Sequence, residues 1–173
     1  MSRYAGVKRV IGIDPGLAYT GWGVLEADGT RLIHVDHGTF TTDPESPEQQ
    51  RLLDIFDDVS DIITKYRPDL IGVEALYFAK NRRSAIPVAQ SRGVVLLAAA
   101  RAGVNAESHT PQDIKQALTG NGRAEKHQVQ EMVRLLLGLS EIPKPDHAAD
   151  ALAAAICSYH LHQFYGRNHV PQS

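Results

Sequence analysis

Three stretches of this chain hold carboxylates where a carboxylate is costly unless a cation accompanies it. Asp14 closes the apolar run Val10-Ile11-Gly12-Ile13, and Pro15-Gly16 turns the chain immediately after it. Glu74 closes a second apolar run, Leu70-Ile71-Gly72-Val73. The third stretch is Asp146-His147-Ala148-Ala149-Asp150, at the start of the last helical pattern. There the i,i+3 spacing puts His147 and Asp150 on one helix face, and the i,i+4 spacing does the same for Asp146 and Asp150. Clustered carboxylates repel one another and take up protons unless a cation sits among them. Oxygen-rich sets with one imidazole suit magnesium or manganese. Two such ions about 3.5–4 Å apart can clamp a scissile phosphate, with no protein nucleophile required. The chain carries no G-x-S-x-G serine elbow, no Walker loop and no H-E-x-x-H. Each acidic group also has a plainer reading. Asp14 can be a turn former, Glu74 a solvated strand end, Asp146 a helix N-cap and His147 a first-turn residue. Their conjunction is more specific than any one of them.

The elements that must bring these residues together can be read from periodicity. Val10–Asp14, Thr20–Ala27 and Arg31–Phe40 read as strands, with Asp28-Gly29 as a hairpin turn. Leu52, Leu53, Ile55, Phe56, Val59, Ile62, Ile63 and Tyr66 recur at helical spacing and stop before Pro68. Asp69–Glu74 is a short buried strand. Ser84 caps a helix running through Ala100, with Pro87 in its first turn. Val104–Ser108 is a fifth strand. Thr110-Pro111 has the form of an N-cap with proline at N1, and Arg123–Leu137 is a helix stopped by Gly138. Thr119-Gly120-Asn121-Gly122 reads as a mobile loop. The last helix spans about Asp146–Phe164, and the tail from Gly166 is expected to fray. The order βββ-α-β-α-β-α-α-α predicts an α/β fold: a five-stranded mixed sheet with helices on both faces. If the strands ending in Asp14 and Glu74 pair, their carboxylates share one sheet end.

With 173 residues, 43% of them apolar and 22% charged, the chain reads as one ordinary globular domain over residues 1–165. No apolar run approaches the roughly 20 residues of a membrane span. Met1-Ser2-Arg3-Tyr4 lacks the apolar core of a signal peptide, so the expected compartment is cytoplasmic. The single cysteine, Cys157, excludes internal disulfides and reads as a buried, inert thiol. The net charge of −2 is unevenly spread. Tyr77 to Arg134 holds nine Lys/Arg against four Asp/Glu, whereas Met1 to Leu76 holds seven against thirteen. The basic middle reads either as a local polyanion footprint or as solvated helix faces.

Several motifs occur here in one order. They are Asp14-Pro15-Gly16 after a strand, Glu74 after Ile-Gly-Val, Ala79-Lys80-Asn81, Gln90-Ser91-Arg92-Gly93-Val94, Ala124-Glu125-Lys126 and Ala148-Ala149-Asp150-Ala151-Leu152-Ala153. This order resembles the RuvC family of bacterial Holliday junction resolvases, from about Val10 to Tyr159. The resemblance implies the ribonuclease H-like fold and two magnesium ions held by Asp14, Glu74, His147 and Asp150, with manganese able to substitute. Many relatives write Asp-Ala-Ala-Asp where this chain writes Asp-His-Ala-Ala-Asp. That spacing places His147 at the ligand position, with Asp146 as the alternative ligand or the helix cap.

The resemblance also implies a homodimer that nicks two symmetric strands of a four-way DNA junction, in recombination and repair. A partner branch-migration complex of the RuvA/RuvB type and a nucleoid location go with it. Ser84–Ala100 is the candidate dimer helix. Lys115 and Lys126 match lysines that approach phosphates near the cut. Lys80, Arg82, Arg83, Arg92 and Arg123 are expected to track the DNA backbone, which positions DNA without reading sequence. Tyr77 is expected to stack at the branch point; loop anchoring is its other reading. The nearest rival is a nuclease of the same fold that processes ribosomal RNA. An actin-like ATPase would need a second lobe, and a non-catalytic junction-binding module would not need four ligand positions.

Overall fold

The computed structural model describes residues 9–75 and 82–168, apart from the side chains of 82–84 and 165–168. The elements follow the expected order: β1 (Arg9–Asp14), β2 (Tyr19–Asp28), β3 (Arg31–Thr41), α1 (Glu48–Tyr66), β4 (Leu70–Glu74), α2 (Arg82–Arg101), β5 (Asn105–His109), α3 (Pro111–Thr119), α4 (Lys126–Leu136) and α5 (Asp146–Asn168). The strands form one sheet ordered β3-β2-β1-β4-β5. β1, β2 and β3 are antiparallel neighbours, while β4 runs parallel to β1 and β5 parallel to β4. The antiparallel half needs only tight turns, and Gly29, at φ 62°, serves the β2–β3 hairpin. The parallel half needs crossovers, which α1 and α2 supply.

β1 lies at the centre. Its Val10, Ile11 and Ile13 are fully buried, as in a strand covered on both faces. Ile11, Ile13, Val24, Ile71 and Val73 pack against Ile55, Val59 and Ile63 of α1 and Val95 of α2. Val10, Leu25 and Leu70 point the other way, into a second core with Ile114 of α3, Val129 and Val133 of α4, and Leu152 and Ile156 of α5. The mixed sheet with helices on both faces is therefore the one expected.

α5 lies unusually close to the sheet because both surfaces lack bulk. A Cβ at Gly12 would overlap the Ala151 carbonyl, one at Gly21 the His147 carbonyl, and one at Gly72 the Ser158 hydroxyl. The helix answers with Ala148, Ala151, Ala154 and Ala155, all fully buried. This contact fixes the N-terminus of α5 over the ends of β1 and β4.

Some local expectations need correction. Ser84 lies inside α2 rather than before it, and Pro87 falls beyond its first turn. The Ser91 hydroxyl donates to the Pro87 carbonyl (2.9 Å). α4 begins at Lys126, not Arg123, because Glu125 is its N-cap and forms a capping box with Gln128. α5 continues past Phe164 and Gly166 to Asn168. The segment expected to be mobile is tied down. Gly120 is the left-handed cap of α3, and the Gln116 amide donates to its carbonyl (3.1 Å). The N–H of Gly122 returns to Gln116 Oε1 (3.0 Å), that of Asn121 to Thr119 Oγ1 (3.1 Å), and that of Arg123 to Asn121 Oδ1 (2.9 Å). Thr110 caps α3 as expected, with Pro111 opening the helix. Cys157 is buried, and burial pushes its thiol up to about 12, which removes it from nucleophilic chemistry.

Candidate active site

β1 and β4 pair in parallel with Ile13 beside Val73, so Asp14 and Glu74 leave the sheet side by side at one end. Asp14 faces Gly21 across the β1–β2 ladder, and that glycine leaves room for the first turn of α5. The turn brings His147 Nδ1 to 2.9 Å from Asp14 Oδ2. One donor atom each from Asp14, His147 and Asp150 lies within 4.8 Å of the others, close enough to share a cation. Glu74 adjoins them from the neighbouring strand end. Burial above all, then the charges of Asp14 and Asp150, push the Glu74 carboxyl up to about 8. Asp150 is also raised, mainly by burial; Lys126 opposes that shift and Asp14 adds to it. The Lys126 ammonium lies 3.2 Å from Asp150 and 3.4 Å from Asp146.

This donor set fits a hard divalent cation. It is rich in carboxylate oxygen, carries one imidazole, and is crowded enough to hold a proton on Glu74 well above the ordinary carboxylate range. A pH signature follows. The folded-state value for Glu74, about 8, lies above the free value of 4.5. The stability that protonated Glu74 contributes is therefore fully present below about pH 4.5 and is lost as pH rises through about 8. Glu74→Gln keeps the neutral form at every pH. In metal-free buffer it is expected to melt several degrees higher than the parent at pH 9 and at the same temperature near pH 4, by thermal unfolding. Equal midpoints at both pH values would refute the raised Glu74.

Asp146 behaves differently. Its side chain is 68% exposed and turns to Lys126, with Gln130 Nε2 at 3.5 Å from Oδ1. It is the first residue of α5 rather than its cap, and the Pro145 carbonyl accepts from the N–H groups of Ala148 and Ala149. The geometry thus groups His147, not Asp146, with Asp14.

Among the expected DNA contacts, Lys115 and Lys126 line a cleft of about 310 Å³ together with Glu74 and Asp150. Arg123 is exposed in the turn just before α4. Arg92 does not line this cleft. Its Nη2 donates to Ser108 Oγ (2.7 Å), and Ser108 pairs with Val73, whose side chain faces α1 and α2 on the far side of the sheet. Tyr77 and Lys80 lie outside the described residues, as do the side chains of Arg82 and Arg83.

Two contributors escape the sequence reading. The strand glycines that admit α5 were visible as small residues but not as one surface. Tyr19 stacks on His147, with ring centroids 5.7 Å apart and planes 10° from parallel, and no local pattern signals it.

The family model for crossover junction endodeoxyribonuclease RuvC matches residues 10–158. The chain is 55% identical over 152 residues to the crossover junction endodeoxyribonuclease RuvC of Treponema denticola, covering 88% of this chain and 85% of that protein. The Thermus thermophilus RuvC structure superposes with a TM-score of 0.86 at 35% identity, covering 91% of this chain and 97% of that one. A second structure, T. thermophilus RuvC in complex with Holliday junction substrate, gives 0.85 at 35% identity, covering 91% and 96%. These likenesses place the sheet among ribonuclease H-like folds, as the resemblance implied. The motif order, the acid cluster at one sheet end and matches of this extent have one reading: the chain belongs to the RuvC family of crossover junction endodeoxyribonucleases.

Proposed function

We propose that this chain, as one nuclease domain over residues 1–165, resolves four-way DNA junctions by paired symmetric nicks in homologous recombination and repair. The carrying observation is the convergence of Asp14, Glu74, His147 and Asp150 beside a lysine-lined cleft, in a chain whose T. thermophilus relative has been seen with its Holliday junction substrate. On this reading those four residues ligate magnesium, two ions per site, with manganese able to substitute. Such ions, when bound, activate water and stabilise the leaving oxygen of a phosphodiester. The chain's own residues prepare that chemistry. Asp14 and His147 hold each other in place, and Glu74 releases its proton on loading. Lys115 and Lys126 draw a phosphate into the cleft, and Arg123 extends the basic surface along the backbone.

The second active site that paired nicking needs comes from a second copy. α2 supports this reading with a stripe of exposed small and apolar residues, Ile86, Ala89, Gly93, Leu97 and Ala100, at the three- and four-residue spacing of a helix–helix seam. Ile86 and Leu97 are 63% and 60% exposed, which is unusual for large aliphatic side chains. A twofold dimer matches the near-twofold symmetry of a junction. Among the described residues no helix is long and apolar enough to cross a membrane. A cytoplasmic, nucleoid-associated location and a RuvA/RuvB-type branch-migration partner complete the reading.

The test compares magnesium-dependent cleavage of a four-way DNA junction, a linear duplex and a structured RNA. Symmetric nicks confined to the junction are expected. Comparable cutting of the RNA would favour the ribosomal-RNA reading, and no cutting of the junction would overturn the proposal. Lys115→Ala and Lys126→Ala are each expected to slow cleavage and to lower the salt slope of junction binding by about one. An unchanged slope would remove that lysine from the phosphate surface.

A further inference from the structure

We propose that Tyr19 is a positioning residue for His147: its ring stacks on the imidazole and holds it turned toward Asp14. The inference rests on the reading of His147 as a metal ligand.

Tyr19 is delivered by the turn that follows Asp14. The Thr20 hydroxyl donates to the Gly16 carbonyl (2.7 Å). A Cβ on Gly16 would overlap the Tyr19 carbonyl, so this tight return of the chain depends on glycine there. Tyr19 is then the first residue of β2, opposite Thr41 at one end of the sheet. Its side chain is 54% exposed, and the aromatic contact it makes is with His147. A ring separation of 5.7 Å with nearly parallel planes is an offset stack within the attractive range.

His147 needs such support. Its side chain is 47% exposed on the first turn of α5, where an imidazole has several rotamers open to it. The hydrogen bond to Asp14 is one restraint. A cation shared between the two residues would take the place of that bond, leaving the stack as the restraint that persists. Ligating imidazoles are routinely oriented by a group that is not itself a ligand, and such groups tune affinity by restricting the ring. Tyr19 supplies that restraint through a ring face, leaving both imidazole nitrogens available.

Manganese binding to the full-length protein without DNA, followed by electron paramagnetic resonance, tests the assignment. Tyr19→Ala is expected to weaken manganese binding about threefold to tenfold, the worth of an aromatic stack. Tyr19→Phe keeps the ring and is expected to match the parent. In a His147→Ala background, Tyr19→Ala should add nothing. Unchanged manganese affinity in Tyr19→Ala would overturn the inference while leaving the ligand role of His147 standing. So would a loss that persists in the His147→Ala background. Weaker binding to a four-way junction at unchanged manganese affinity would also overturn it, making Tyr19 a direct DNA contact. If His147→Ala itself leaves manganese affinity intact, the ligand reading of His147 fails and the role of Tyr19 fails with it.

Discussion

Asp14→Asn is expected to lower magnesium-dependent junction cleavage by at least about 10³-fold while junction affinity stays within a factor of about three. The asymmetry follows from where Asp14 sits. It ends the central strand, bonds His147, and its charge acts on both Glu74 and Asp150. Asparagine keeps the size and one acceptor oxygen, so the fold and the contact with His147 survive. What it loses is the negative charge that a divalent cation needs. Lys115 and Lys126, proposed to draw a phosphate, line the cleft beside Glu74 and Asp150 and are untouched. Single-turnover cleavage and gel-shift titration on one four-way junction read the two quantities. Cleavage within tenfold of the parent would sink the metal-centred reading of the cluster.

Gly12→Ala is expected to destabilise the protein by about 3 kcal/mol or more, a large part of a typical domain's whole stability. The added methyl would overlap the carbonyl oxygen of Ala151 and crowd the N–H of Ala155, both backbone atoms that no rotamer change can move. Relief requires α5 to lift from the sheet. That opens a core in which Leu152, Ile156 and four alanines are fully buried, and it carries His147 and Asp150 away from Asp14. Denaturant midpoints of the parent and Gly12→Ala should separate widely. If they coincide, α5 does not rest on the strand backbone as described.

Much of this was legible in the chain because the relevant signals are local. An apolar run that ends in a carboxylate, twice over, marks strand ends at Asp14 and Glu74. The i,i+3 spacing places His147 and Asp150 on one helix face before any tertiary contact is known. The parallel pairing of β1 with β4 could only be a condition, since pairing is decided between segments far apart in the chain. The start of α5 at Asp146 was legible, whereas the plainer reading of Asp146 as its cap was not met, because aspartate suits both the cap position and the first turn, where it meets the same helix dipole. Thr119–Gly122 was misread for a related reason. Glycine content advertises freedom in the unfolded chain, whereas Gln116, Thr119 and Asn121 spend their polar groups holding the folded turn. Arg92 counted toward a basic surface by charge alone, and strand alternation sends its partner Ser108 to the other face. Tyr19 left no trace because its meaning lies wholly in a ring supplied by the last helix.

The docking of α5 also sets the moment at which the chain becomes a nuclease. Synthesis on the ribosome delivers the sheet, Asp14 and Glu74 first, and domains begin to organise from the N-terminal side. Until α5 emerges, one face of that sheet lacks the helix that covers it, and two carboxylates stand at its end without His147 or Asp150. The helix that seals the core and the helix that completes the acid cluster are the same element. A chain whose α5 has not yet docked therefore carries an incomplete acid cluster, and the cluster is completed in the same step that closes the core.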